Sequence, residues 1–250
     1  MNVKLIAHTA LSDEFYDSFD IYDSAGGGIG NELDGMGVND RAAVALTAIR
    51  TCYSANKPTE IVAKEGDKYF GSEAKDGEGG TDADRLIRQI IRSKHTSTIE
   101  HLTYTFAIEG LSRAALAQLT RHRVGFSFSV QSQRYVRFDS AKGGFDYATP
   151  AAIADNDAAR REFELAMVEA QNTYDELRAL GVKPEDARAI LPQAATCNLV
   201  LTGNLRAILD FYGKRKAGRG AQREIADLAE AMREAVVKVD GWTARFFDEA

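Results

Sequence analysis

The densest group of polar side chains lies between Gln118 and Arg134. Three of them, Gln118, Arg121 and His122, are spaced i, i+3 and i+4, so on a helix they share one face. A carboxamide, a guanidinium and an imidazole on one face can bind an anionic or heterocyclic ligand. We therefore take this segment as the first candidate for a binding site.

The next segment, Phe126–Phe138, has the alternation of a strand. A period of two places Phe126, Phe128 and Val130 on one side, together with Ser132 and Arg134. A charge and a hydroxyl on an apolar side need partners, and a bound phosphate or carboxylate would supply one. A structural ion pair, or a register that turns Arg134 outward, would explain the pattern as well.

Composition favours the anion site. The 250-residue chain has a net charge of −6, so Arg121, Arg123 and Arg134 form a local basic cluster in an acidic protein. Arginine suits such a site because its planar fork grips phosphate oxygens in pairs. An acidic chain repels duplex DNA and anionic membranes on average, which favours a small phosphorylated ligand over nucleic acid.

The chain reads as a cytoplasmic protein. Hydrophobic residues make up 44% and charged residues 27%, as in ordinary globular domains. Two cysteines far apart form neither a disulfide framework nor, alone, a zinc site. We find no signal peptide and no run of about 18 apolar residues, so we expect no membrane span.

The pattern of elements predicts one α+β domain over 1–250, with a central antiparallel-type sheet and long helices. Strands and helices do not alternate as βαβ units and G-x-G-x-x-G is missing, so a Rossmann fold is disfavoured. Glycine-rich loops are expected at 21–38 and 64–80. The remaining expectations are strands at 2–8, 102–108, 126–138 and 196–202, and helices at 41–49, after Thr81, from Ser112, at 156–180, from Pro184, after Asn204 and at 222–240.

The basic segment, RHRVGFSFSVQSQRY, resembles the signature of the flavin-dependent thymidylate synthases. That signature is Arg-His-Arg, seven residues, then Ser, with Arg-Tyr following. Here eight residues separate Arg123 from Ser132, and Gly125 can absorb the extra one in a bulge or turn. Two further blocks are similar to the family in the same order: KHTSTIEHLTYTF upstream and EDARAILPQAATCNLVLTGNLRAILDFYGKR downstream.

The resemblance implies a thymidylate synthase-complementing fold that assembles as a homotetramer, with FAD bound between subunits. It implies that dUMP is converted to dTMP with methylenetetrahydrofolate as carbon donor. NADPH reduces the flavin, which then delivers hydride. No cysteine nucleophile is needed, in agreement with the positions of Cys52 and Cys197 outside any nucleophile-like motif.

The resemblance also implies roles for individual residues. It assigns Arg215 and Ser132 to the catalytic site, where Arg215 stabilises negative charge on the uracil ring. It assigns FAD binding to His95, Ser97, Glu100, Arg121, His122, Arg123, Asn204, Arg206 and Asp210, the last where the family often has Asn. It assigns dUMP binding to Gln118, Arg121, Gln131, Ser132, Gln133, Arg134, Arg188 and Arg215.

Other interpretations compete with these roles. His95 and His101 do not form H-E-x-x-H, so no metal site is expected. Arg206 with Asp210 at i, i+4, or Arg188 beside Asp186, fits a simple surface pair. Ser132 has no histidine base within the motif, so we favour a hydroxyl that binds the substrate phosphate over a nucleophile. A nucleic-acid-binding module, or a flavin- and nucleotide-binding homologue without synthase activity, are the alternative functions.

Overall fold

The computed structural model describes residues 1–20 and 38–249. It combines a four-stranded sheet with helices, so the expected α+β class is confirmed. The glycine-rich loop expected at 21–38 lies, except for Val38, outside the described residues.

The sheet contains β1 (Asn2–His8), β2 (Thr103–Ser112), β3 (Phe126–Val130) and β4 (Thr196–Asn204), in the order β1-β2-β4-β3. Strands β2 and β4 are antiparallel, because Thr105 faces Thr202 while Gly110 lies beside Asn198. In β2, Tyr104, Phe106 and Ile108 are all fully buried, as the alternation predicts.

The helices in the described part of the chain are α1 (Asp13–Asp20), α2 (Asp40–Thr51), α3 (Ile61–Phe70), α4 (Asp82–Arg92), α5 (Arg113–Leu119), α6 (Ala151–Ala154), α7 (Asp157–Ala179), α8 (Pro184–Ala187), α9 (Leu205–Arg215), α10 (Arg223–Val239) and α11 (Ala244–Glu249). Short 3-10 turns include Thr96–His101 and Arg188–Ile190. The starts follow local chemistry: the side chains of Asn39, Thr81, Ser112, Asn156 and Asn204 each accept a hydrogen bond from a backbone N–H in the first turn.

The chain divides into two compact units. The first unit comprises Met1–Ile6, Thr105–Thr202 and Phe211–Ala235, and the second comprises Ala7–Tyr104, Gly203–Asp210 and Val236–Ala250. The expectation of a single domain over 1–250 stays a prediction.

The loop predicted at 64–80, in the second unit, is wrong over its first part. Residues 64–70 belong to α3, and only the stretch after Phe70 is a loop. Ile61, Val62, Tyr69 and Phe70 are buried on one face of this helix. The charged residues between them and the glycine at position 66 hide the helical period in the sequence.

The strand predicted at Phe126–Phe138, in the first unit, is shorter than expected. Strand β3 ends at Val130, and a turn follows in which the Ser132 carbonyl accepts hydrogen bonds from the amides of Tyr135 and Val136. The hydroxyl of Ser132 also accepts from the amide of Arg134 at 3.2 Å. Serine offers the backbone this local alternative to a sheet ladder, so the alternation breaks here.

Beyond that turn, Phe138 joins a separate apolar cluster under α7. Its buried members are Phe138, Phe145, Met167, Tyr174, Ala187 and Ala195. Ala187 at the end of α8 and Ala195 just before β4 both pack in this cluster.

Candidate active site

Arg215, the last residue of α9, is half-buried and held at two points. Its Nε–H donates to Nε2 of His122 at 3.0 Å, and an Nη2–H reaches the carbonyl oxygen of Gln118 at 3.4 Å. Neither partner is a carboxylate, and Arg215 forms no ion pair within the described part of the first unit. The guanidinium is therefore fixed in direction and keeps its full positive charge for a ligand.

His122 accepts this hydrogen bond on Nε2, so the geometry requires a neutral imidazole at that nitrogen. Its ring meets Phe211 edge-on, with centroids 5.0 Å apart. Phe211 is fully buried on α9 and also contacts Phe126. The aromatic wall limits how far the imidazole can turn.

The structure corrects the shared helix face proposed for this segment. Helix α5 ends at Leu119, and Arg121 and His122 lie in the turn that follows, where the His122 amide donates to the Leu119 carbonyl. Gln118 and His122 nevertheless lie near each other, because Arg215 donates to the Gln118 carbonyl and to the His122 ring. The shared helix face was therefore wrong, although these two residues are brought together by a third.

Gln222, which the sequence analysis missed, also contacts this group. Its Oε1 accepts from Nε2 of Gln118 at 2.6 Å. The two glutamines are 104 positions apart and no local pattern joins them, so only the fold reveals the pair.

Arg121 and Arg123 are exposed and carry no ion pair and no side-chain hydrogen bond within the described residues. Gly125 follows in a turn with φ of +76°, a conformation that suits glycine. The turn lies within the eight-residue spacer before Ser132, and the absorption of the extra residue by Gly125 stays a prediction. Together with Arg215, the two arginines leave positive charge without carboxylate partners in an acidic chain.

Arg134, Arg188 and Lys183 gather around Glu185 at the start of α8. The Nε–H of Arg134 donates to Oε2 of Glu185 at 2.6 Å, and Nε–H of Arg188 donates to the Glu185 carbonyl at 3.0 Å. The Arg134 hydrogen bond lowers the pKa of the Glu185 carboxyl, with smaller contributions from Lys183 and Arg188. Arg134 therefore takes part in an ion pair, an alternative that the sequence left open. Three cations lie near the two carboxylates of this turn, Glu185 and Asp186.

The remaining motif residues are tied to backbone. The Gln131 amide donates to the Asn198 carbonyl at 2.8 Å, and the Gln131 carbonyl accepts from Arg113 at 2.8 Å. Gln131 and Gln133 are both half-buried. The Ser132 hydroxyl accepts from the Arg134 amide, and the binding roles of Gln131, Ser132 and Gln133 stay predictions.

In the second unit, the 3-10 turn Thr96–His101 and the start of α9 bring Glu100 and Arg206 into an ion pair. Asn204 caps α9 through the amide of Ala207 at 2.9 Å. The ion pair between Glu100 and Arg206 is half-exposed. From sequence spacing alone, Arg206 could also have paired with Asp210, but it pairs with Glu100. The structure thus unites two residues to which the resemblance gives a common role. Asp210 lies one turn further along α9 and is exposed.

His95 and Ser97 lie at the same turn. Nδ1 of His95 is 2.7 Å from the hydroxyl of Tyr53, a residue the sequence analysis did not consider. Ser97 lines a cavity of about 730 Å³ together with Leu11, Phe15, Cys52, Thr98 and His101. The cavity is mostly apolar with a polar edge, a character typical of sites for organic cofactors.

Within the described chain, no helix is long and apolar enough to cross a membrane. Over the same residues, no group of three or more His, Cys, Asp or Glu side chains is arranged to hold a metal ion.

Comparison of the sequence with known proteins shows the family to which this chain belongs. The sequence profile of the family described as thymidylate synthase complementing protein matches residues 36–240. A flavin-dependent thymidylate synthase of Nitratidesulfovibrio vulgaris is 42% identical over 193 residues, covering 74% of this chain and 73% of the relative. One from Geobacter sulfurreducens is 39% identical over 191 residues, covering 76% and 75%.

Solved structures agree on the fold. A thymidylate synthase X from Helicobacter pylori, crystallised with FAD and dUMP, superposes with a TM-score of 0.63 at 24% identity, over 100% of this chain and 98% of that one. A UMP/dUMP methylase, PolB of Streptomyces cacaoi, gives a TM-score of 0.66 at 23% identity, over 99% and 94%. The sheet and helices of this chain therefore have the same fold as these two structures. This chain belongs to the thymidylate synthase complementing protein family.

Proposed function

We propose that this chain is a flavin-dependent thymidylate synthase, which methylates dUMP to dTMP with FAD as its cofactor. Methylenetetrahydrofolate donates the carbon and NADPH reduces the flavin. Bound reduced FAD supplies the hydride. The relatives at about 40% identity carry the same activity in their names, which supports this reaction.

The observation that carries the proposal is the fixed, unpaired guanidinium of Arg215. His122 and the Gln118 carbonyl hold it, and no carboxylate of the described residues neutralises it. A preorganised positive charge stabilises the negative charge that a uracil ring gains when it accepts hydride. Because the partners are a neutral ring and a carbonyl, the full charge is directed at the substrate.

The substrate phosphate fits the cluster around Glu185. The three cations Arg134, Arg188 and Lys183 exceed the two carboxylates of this turn by one charge, so a phosphate that approaches from solvent is attracted. Ser132 uses its oxygen to accept from the Arg134 amide and retains its O–H to donate to the phosphate. Gln118, Gln131 and Gln133 are the proposed neutral contacts.

Other residues of the chain have charges and surroundings that suit FAD. Arg121 and Arg123 are unpaired cations suited to the two phosphates of FAD, and Ser97 borders an apolar cavity of about 730 Å³. His95, Glu100, His122, Asn204, Arg206 and Asp210 are the further proposed contacts. The assembly is proposed to be a homotetramer in the cytoplasm, acting on dUMP and not on nucleic acid.

An absorption spectrum tests the cofactor first. Purified protein, or protein incubated with FAD and desalted, is expected to show flavin bands that shift when dUMP is added. Protein that retains no flavin after incubation would contradict the proposal. A spectrum that shows flavin but does not respond to dUMP would place the failure at the substrate site.

A further inference from the structure

The side chains of Tyr53 and His95 form an isolated polar pair on the second unit. The Tyr53 hydroxyl lies 2.7 Å from Nδ1 of His95, and the rings meet edge-on with centroids 5.9 Å apart. Tyr53 is 57% exposed, so burial does not explain its position. A large aromatic residue held at the surface with its hydroxyl on a histidine suggests a function for that contact.

The backbone on the histidine side is fixed. Helix α4 ends in a Schellman motif, in which the His95 amide donates to the Ile90 carbonyl and the Lys94 amide to the Ile91 carbonyl. Lys94 occupies the left-handed position with φ of 60°, alone among the described non-glycine residues. The His95 carbonyl in turn accepts from the buried hydroxyl of Thr98 at 3.2 Å. The imidazole therefore projects from a backbone held on both sides.

The backbone on the tyrosine side is fixed as well. The Tyr53 amide donates to the Arg50 carbonyl at 2.8 Å, and its carbonyl accepts from the Arg50 guanidinium at 3.3 Å. Arg50 is itself paired with the buried Glu65 at 2.6 Å. Two rigid supports thus aim the phenol at one ring nitrogen.

We infer that Tyr53 is a positioning residue for His95, which it holds in the tautomer that presents Nε2–H to the flavin. A phenol is the stronger acid of the two groups, so its O–H donates and Nδ1 accepts. The ring proton of the neutral imidazole then resides on Nε2, opposite the tyrosine. Nε2–H becomes a donor of fixed direction for an acceptor atom of the cofactor, as a hydrogen-bonded partner does for histidines in other sites. The inference rests on the proposed function, because it takes FAD as the ligand of His95.

A double-mutant cycle on FAD binding tests this. Dissociation constants are measured by flavin fluorescence for full-length wild type, Tyr53→Phe, His95→Ala and the double variant. Loss of one neutral hydrogen bond predicts that Tyr53→Phe weakens FAD binding about three- to tenfold, and that it has no further effect once His95 is alanine. Tyr147→Phe removes the same atom from another exposed tyrosine, in the first unit, and is expected to bind as wild type.

A second readout reports the tautomer itself. In ¹⁵N-histidine-labelled protein, with His95 assigned through the His95→Ala variant, wild type is expected to show an unprotonated Nδ1 and a protonated Nε2. In Tyr53→Phe the two nitrogen shifts are expected to move toward averaged values. Unchanged His95 shifts, or an equal loss of FAD affinity in the presence and absence of His95, would overturn the inference. A wild-type protein that binds no FAD would instead overturn the proposed function. The ¹⁵N shifts of His95 would still show whether Tyr53 fixes its tautomer.

Discussion

The guanidinium of Arg215 donates from Nε to Nε2 of His122 across 3.0 Å, although the two residues are 93 positions apart in the chain. The contact joins the end of α9 to the turn after α5 within the first unit. It also requires His122 to be unprotonated on Nε2. The orientation of the proposed catalytic cation therefore depends on the proposed cofactor-binding histidine.

Arg215→Ala is expected to retain FAD and to lower the turnover number about a hundredfold or more, as for removal of one preorganised donor at a developing charge. Steady-state formation of dTMP and a flavin spectrum of the same sample give both quantities. Arg219→Ala, an exposed arginine beyond the end of α9, is the matched control and is expected to turn over as wild type. Near wild-type turnover in Arg215→Ala would show that the assignment is wrong.

Arg134→Ala is expected to weaken dUMP binding about ten- to a hundredfold, because one charge-assisted hydrogen bond is lost. Equilibrium titration with dUMP, followed through the flavin spectrum, measures this. The control is Arg137→Ala, since Arg137 is also exposed and ion-paired, but its partner is Asp139 and it lies outside the proposed phosphate site. An unchanged dUMP affinity in Arg134→Ala would remove this residue from the phosphate site.

Much of the local structure was predictable because its causes are local. Thr81 and Asp84 form the expected capping box, and Asn204 caps α9 as its position indicated. The long helix expected at 156–180 occupies Asp157–Ala179. In each case the side chain that fixes the helix start lies within a few residues of it.

The wrong predictions concern a helix supported by a distant partner and a strand that a local turn ends early. The helix Ile61–Phe70 was missed because its apolar face is short and interrupted by charges, and the ion pair from Arg50 to Glu65 that supports it is non-local. The turn at Ser132 follows the end of β3 at Val130, so Arg134 lies beyond the strand and not on its apolar face. Tyr53, whose hydroxyl lies beside His95, has no local sequence signal. The same holds for Gln222, which contacts Gln118.

Glu65 predicts a pH dependence of stability. Burial raises the pKa of its carboxyl, but hydrogen bonds from Ser54, Asn56 and Arg50 outweigh this and hold the pKa below its ordinary 4.5. The unfolded chain then takes up the proton more readily, so Glu65 stabilises the fold above about pH 4.5 and loses this contribution as the pH falls through its folded pKa.

Glu65→Gln is accordingly expected to lower the free energy of unfolding at pH 7 by roughly 1–3 kcal/mol, and to reduce the fall in stability between pH 7 and pH 4. Urea unfolding at both pH values measures the difference. The half-exposed Glu60, which pairs with Lys64 on the surface, supplies the control variant Glu60→Gln. Parallel pH profiles for wild type and Glu65→Gln would contradict the assignment.

Lys94 predicts a stabilising substitution. Its left-handed backbone, with φ of 60°, is costly for a residue with a Cβ atom. Lys94→Gly is expected to raise the free energy of unfolding by about 1 kcal/mol, since glycine adopts this conformation without that cost. Urea unfolding tests it, with Lys64→Gly, in the middle of α3, expected to be destabilising. A less stable Lys94→Gly protein would show that the position is not strained.

The reaction itself gives the most direct test of the account. Purified full-length protein is incubated with dUMP, methylenetetrahydrofolate, NADPH and FAD, and dTMP is measured by chromatography while each component is left out in turn. We expect dTMP only when dUMP, methylenetetrahydrofolate, NADPH and bound FAD are all present, and about hundredfold slower dTMP formation, or less, with the Arg215→Ala variant. Protein that binds FAD and dUMP but forms no dTMP would contradict the proposed function and favour a homologue without synthase activity.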